Sequence, residues 1–230
     1  RYVKPMPSDV DQWQHWDHGA DGNPFSQDQR VAPTTSLRWL AGNTSIHGAG
    51  SKVGLRLSDG TVYYTAIDYD ADGRFRRTPR NDLFARDAFN GVLRWKRTLD
   101  GVPGGGDTPP RFALTAVDGR VYCYPKDGGP LAALDADTGE TLTEFAQGPT
   151  LPPIAGWNKW RDPIRKIHFV VRILDGSVLQ TFGSDVYVSD AKTGKLLWKK
   201  NFGDKSTIGW AVAGGGQLFV VVADRPLIPN

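Results

Sequence analysis

The stretch Ser189-Asp190-Ala191-Lys192-Thr193-Gly194-Lys195-Leu196-Leu197-Trp198-Lys199-Lys200 decides the fold, because the chain says nearly the same thing twice before. The earlier copies are Ala85 to Arg97 (ARDAFNGVLRWKR) and Ala133 to Phe145 (ALDADTGETLTEF). In each, an aspartate is followed four residues on by a glycine: Asp87 with Gly91, Asp135 with Gly139, Asp190 with Gly194. Such an aspartate can accept hydrogen bonds from backbone N–H groups of the corner that follows it. The glycine supplies the positive φ that bends the chain there.

Around these corners the chain reads as short strands. VGLRLSDGTVYYTAID, RFALTAVDGRVYCYP, IHFVVRILDGSVLQTFG and WAVAGGGQLFVVVAD alternate apolar and polar residues and are bounded by Gly, Asp or Pro. Four hairpin turns are expected at Asp59-Gly60, Asp118-Gly119, Asp175-Gly176 and Gly215-Gly216, because both central positions of a type I′ turn need positive φ. The corner glycines at 91, 139 and 194 lie 48 and 55 residues apart. A period of that order with two hairpins per unit points to a β-propeller, one four-stranded sheet per blade. The sequence therefore predicts an all-β chain of about four blades. The expected division is a Pro-containing extended lead-in over 1–36, strapped on propeller blades over 37–230, with a Pro- and Trp-rich insertion at 146–163.

Composition narrows the function classes. The net charge of +3 comes from 28 basic against 25 acidic residues, and no basic stripe interleaved with aromatics suggests nucleic acid. No apolar run is long enough to span a membrane as a helix. The lone Cys123 excludes an intrachain disulfide and a CxxC metal site, and its alternating surroundings predict a buried strand thiol. The chain opens on Arg1 without a signal peptide, which suggests a mature or excised chain.

The corner copies resemble PQQ-type propeller repeats, whose pattern is Ala-x-Asp-x-x-Thr-Gly-Lys-x-x-Trp. Ala133, Asp135, Thr138 and Gly139 match in the middle copy; Asp190, Thr193, Gly194, Lys195 and Trp198 in the last; Ala85, Asp87, Gly91 and Trp95 in the first. The departures are Asn90, Val92 and Thr143. The lead-in, DQWQHWDHGADGNPFSQDQRVAPTTSLRWLAG, is similar to the start of secreted bacterial quinoprotein-like, BamB-like proteins. The resemblance implies seven or eight blades in the whole ring, so that these are expected to be an incomplete arc, completed by remaining blades or a second chain. It also implies an extracytoplasmic location, periplasmic or secreted. It further implies that Trp95 and Trp198 form a girdle locking adjacent blades, each burying roughly 150–250 Å²; the alternative is that these rings bind a ligand.

Several constellations could carry chemistry. His15 and His18, with Asp17, Asp21 and Asn23 nearby, could ligate a transition metal. Alternatively, they tie the lead-in to the propeller by hydrogen bonds, with Trp13 and Trp16 packed beneath. Asp68, Asp70 and Asp72 before Gly73 match the first half of a calcium loop, although Pro79 stands where an EF-hand needs Glu. The alternative there is an acidic hairpin tip paired with Arg74, Arg76 and Arg77. Trp157 and Trp160 could form a platform for a protein or glycan, or pack on the next blade. True quinoproteins of this fold hold PQQ beneath a vicinal disulfide; with only Cys123 present, PQQ is not expected, calcium is conceivable, and no catalytic set is identified. The expectation is an accessory or scaffold propeller that binds protein or glycan. The rival is part of an enzyme, a quinoprotein-like oxidoreductase among the options, completed by residues beyond this stretch.

Overall fold

The computed structural model describes residues 7–29, 54–68, 80–100, 113–150 and 170–224. Their fourteen strands form three four-stranded sheets and one two-stranded sheet. Blade 1 contains β1 (Leu55–Ser58), β2 (Thr61–Asp68), β3 (Arg80–Asp87) and β4 (Leu93–Leu99). Blade 2 contains β5 (Thr115–Val117), β6 (Arg120–Cys123), β7 (Ala132–Asp135) and β8 (Thr141–Glu144). Blade 3 contains β9 (Val171–Leu174), β10 (Ser177–Phe182), β11 (Asp185–Asp190) and β12 (Leu196–Asn201), and blade 4 contains β13 (Thr207–Gly214) and β14 (Gln217–Ala223). Every sheet is an antiparallel meander in chain order.

All four expected hairpin turns are present. Asp59, Asp118 and Asp175 have φ of 47°, 52° and 49°, each followed by a glycine at positive φ, and Gly215-Gly216 repeats the pattern. At each corner the aspartate Oδ1 accepts two backbone N–H bonds: from Phe89 and Asn90 to Asp87, Asp137 and Thr138 to Asp135, Lys192 and Thr193 to Asp190. These bonds favour the ionised form and help hold the three carboxyls below the usual range; the larger cause is the contact from Arg94 for Asp87 and the bond from Thr193 Oγ1 for Asp190. Opposite every corner the strand register slips at the same place, between Ala85 and Arg86, Ala133 and Leu134, Val188 and Ser189. These bulges bend the outer strand toward the next blade.

Strand alternation sends successive side chains to opposite neighbours. On β6, Val121 and Cys123 enter the core between blades 1 and 2, with Tyr63, Leu83 and Trp95. Tyr122 and Tyr124 enter the core between blades 2 and 3, with Phe145, Val171 and Ile173. A third core, of Leu179, Val186, Val188, Ile208 and Ala211, joins blades 3 and 4. Both faces of an inner blade are thus buried, which is why these strands read as near-continuous apolar runs. Burial also pushes the Cys123 thiol up to about 12. No core cluster joins blade 4 to blade 1 among the described residues, so the blades form an open arc. No helix among them is long and apolar enough to cross a membrane.

Candidate axial site beneath the N-terminal strap

Part of the lead-in, residues 11–23, runs across the inner strand of each blade. Trp13 exchanges two backbone hydrogen bonds with Leu57 of β1, both 2.9 Å. Gln14 O accepts from Ala116 N of β5, and Ala20 O accepts from Ala213 N of β13. His15 Nε2 accepts from Ile173 N of β9 at 3.1 Å. The strap turns back at His18, whose φ is 72°, so that His18 O accepts from Gln14 N and His15 N. Where it passes blade 4, Gly22 (φ 68°) lies so close to Val212 that an added Cβ would sit 2.7 Å from Cγ1.

Under the strap lie two arginines that apolar alternation does not anticipate. Arg56 on β1 and Arg172 on β9 are each 1% exposed, and each stands three residues before an Asp-Gly turn. The Arg56 guanidinium lies over the Trp16 ring at 5.4 Å and Arg172 over Trp210 at 5.3 Å, contacts that partly replace lost water. Asp17 faces Arg172 at 3.6 Å. Loss of water and then the charge of Arg172 pull Arg56 down to about 9, with Asp17 opposing. Burial also lowers Arg172, against the pull of Asp17 and Asp21.

His15, 2% exposed, completes the group. Burial, then Arg172 and Arg56, lower it to about 3, and protonation at Nε2 would also break the bond from Ile173. The ring is therefore neutral, with its proton on Nδ1, an atom buried without a hydrogen-bond partner. His18 faces elsewhere: its Nε2 lies 2.7 Å from Asp11 Oδ2, and its ring meets Trp13 edge-on at 5.1 Å. Asp11 also accepts from Gln27 N and Ser26 Oγ; its partial burial is outweighed by these bonds, and its carboxyl falls below the usual range. Among the described residues no three His, Cys, Asp or Glu side chains gather as metal ligands. Asn23 bonds locally, to Asp21 and Phe25.

The blade corners meet across the joints. Trp95 Nε1 donates to Ala136 O at 2.8 Å, and its ring lies against Gly139, where a Cβ would come within 2.8 Å of it. Thr143, in the tryptophan's place, donates through Oγ1 to Lys192 O at 2.9 Å and lies against Gly194. Trp198 is 44% exposed. Asp70, Asp72, Trp157 and Trp160, together with the side chain of Asp68, lie outside the described residues. Sequence reasoning missed Arg56 and Arg172; the signal was available as one charged residue inside the apolar strings GLRLSDG and VRILDG.

Face-to-face antiparallel meanders, each braced by an Asp corner seated on its neighbour, define a β-propeller. A family profile described as outer membrane protein assembly factor BamB matches residues 12–172, and the chain belongs to that PQQ-like propeller family. No curated protein matches it. Among solved structures, a europium-containing methanol dehydrogenase is 16% identical over 83% of this chain and 32% of its own, with a TM-score of 0.49. BamB from Moraxella catarrhalis is 17% identical over 74% of this chain and 42% of its own, TM-score 0.43. The computationally designed Ika8 protein is 18% identical over 76% and 44%, TM-score 0.48. The chain spans less than half the length of each of these structures.

Proposed function

We propose that this chain acts outside the cytoplasm as an accessory or scaffold propeller, presenting loops around a locked axis to a protein or glycan partner. The strap carries this reading. It bonds to the inner strand of every described blade and fills the space over Arg56 and Arg172 with side chains, which favours recognition at the surface over chemistry in an axial pocket. The family description, an assembly factor, fits a protein partner. Phe25, 73% exposed just beyond the strap, offers an apolar contact, and Trp157 and Trp160 are the second contact to test. Phe219 and Val221, exposed on β14, mark where remaining blades or a second chain would pack. Calcium at Asp68, Asp70 and Asp72 is a separate proposal, read out by elemental analysis of the purified chain; PQQ is no part of this reading.

The experiment places a photo-crosslinking amino acid at position 25, 157 or 160 of the chain in its native cell envelope. Discrete adducts to one partner are expected. Absence of adducts at all three positions would overturn the reading. A catalytic role completed by residues outside this chain is favoured by one observation, the desolvated charges of Arg56 and Arg172. Reduction of a redox dye by the full-length protein with PQQ and calcium added, lost in Arg172→Met, would favour it.

A further inference from the structure

A cavity of about 190 Å³ opens between blades 1 and 2, beside the Asp-Gly turns and next to the strap, whose Gln12 Oε1 accepts from Asp59 N at 2.8 Å and whose Gln14 O accepts from Ala116 N. Its walls include Asp59, Thr61, Tyr63 and Arg94 of blade 1 and Ala136 and Asp137 of blade 2. The repeat explains why it exists. Thr61, Arg120 and Ser177 each follow an Asp-Gly turn and occupy the same place in successive blades. In blade 2 the long side chain of Arg120 crosses the joint, its Nη1 donating to Ala191 O at 2.7 Å. In blade 1 the short Thr61 stops well before the equivalent oxygen, Ala136 O, which takes bonds from Trp95 Nε1 and Tyr63 OH instead. The space an arginine would fill is left open.

The groups around it have spare accepting capacity. Arg94 is committed, Nη1 to Thr61 Oγ1 at 2.6 Å and Nη2 to Asp87 Oδ2 at 2.9 Å. Tyr63 spends its O–H on Ala136 O, and its oxygen accepts from the Thr61 hydroxyl. Asp59 receives only the 3.3 Å bond from Ser58 Oγ, and the Asp137 carboxylate receives none among the described residues. An ionised carboxylate accepts and cannot donate. The Thr61 hydroxyl is spent on Tyr63, so the open acceptors are the two carboxylates of a lining that also includes Arg94 and Arg120, and the cavity suits an occupant with several donors and at most a few acceptors. Its size, about six waters' share of liquid volume, is below that of drug-sized pockets and suits one sugar ring.

We propose that this inter-blade pocket binds a single hydroxyl-rich sugar unit, preferring an amino sugar, through the carboxylates of Asp59 and Asp137. Calorimetric titration of the 230-residue chain with D-glucosamine, D-glucose and D-glucuronate tests it. Affinity should fall in that order. Asp137→Asn, at an exposed position, should weaken glucosamine roughly tenfold by removing a charge-assisted bond. Thr61→Arg, which copies blade 2, should abolish binding of all three sugars while leaving the melting temperature close to wild type. Glucuronate binding as tightly as glucosamine, no binding of any sugar by the wild type, or unchanged affinity in Asp137→Asn would overturn the proposal. Gln12 and Gln14 of the strap bond to two of its walls but no strap residue lines the cavity, and sugar titration reads nothing of a crosslinked partner, so the scaffold reading stands or falls separately.

Discussion

Replacing Trp95 tests whether corner seating holds the arc together. Its side chain is 9% exposed and that of Trp198, at the same place two blades later, 44%. With about 200 Å² for an indole side chain and roughly 25 cal/mol per Å², Trp95→Ala should cost about 4.5 kcal/mol. Trp198→Ala should cost about 3 kcal/mol by the same reckoning. The indole N–H adds a distinct contribution: Trp95→Phe keeps most of the apolar contact but loses the bond to Ala136 O, for about 1 kcal/mol. That loss is limited because Tyr63 OH still reaches the same oxygen at 3.3 Å. Urea titration of the three variants, followed by circular dichroism and by tryptophan emission, measures these differences. A lowered m-value or non-coincident transitions in Trp95→Ala would show blade 1 separating from blade 2 before the rest unfolds. Equal losses for Trp95→Ala and Trp198→Ala would refute the claim that seating on the next blade's corner gives Trp95 its weight.

Three further outcomes are expected. His15 is held to about 3 in the folded chain against 6.5 for a free imidazole, so between those values the unfolded chain binds a proton that the native one does not; stability should fall as pH drops below about 6.5, by up to ~1.4 kcal/mol per unit from this group. His15→Gln, whose amide oxygen can still accept from Ile173 N, should flatten the difference between melting curves at pH 4 and pH 7. Gly194→Ala should destabilise by about 2 kcal/mol or more in urea titration, because the residue sits at φ 72° and a Cβ there would strike Glu144 O and Thr143. Asp17→Asn should cost about 1–3 kcal/mol in thermal melts, since it removes the carboxylate facing buried Arg172 while being itself partly solvated, 26% exposed.

Much of the architecture was legible because it is local. An Asp-Gly pair fixes a hairpin through two positive φ angles, and the Asp-x-x-x-Gly corner fixes the next turn, so turn chemistry alone counted the blades. Trp95 was legible as a docking side chain through the resemblance of its corner to PQQ-type repeats. Arg56 and Arg172 were not, because their burial comes from the strap, whose route across β1, β5, β9 and β13 depends on contacts distant in sequence; the bond from Ile173 to His15 spans 158 positions. The histidine pair illustrates the limit. His15 and His18 have the spacing of ligands, yet the reversal at His18 sends one ring to Ile173 and the other to Asp11. The inter-blade cavity lay in plain view only as a disagreement between copies, Thr61 against Arg120, whose meaning needed the distance across the joint.

The joints and the strap impose opposite rules on how such a chain can change length. The two joints flanking blade 2 share one form, a side chain from one unit resting on the bare glycine of the following unit, so a duplicated unit would find a ready seat on either side. The strap has no such tolerance. Trp13, Gln14, His15 and Ala20 each meet a different unit in fixed order, and inserting a unit among the first four would put every later contact out of step. The strap thus works as a ruler: new units can be added to this arc downstream of the span it measures, but not within it.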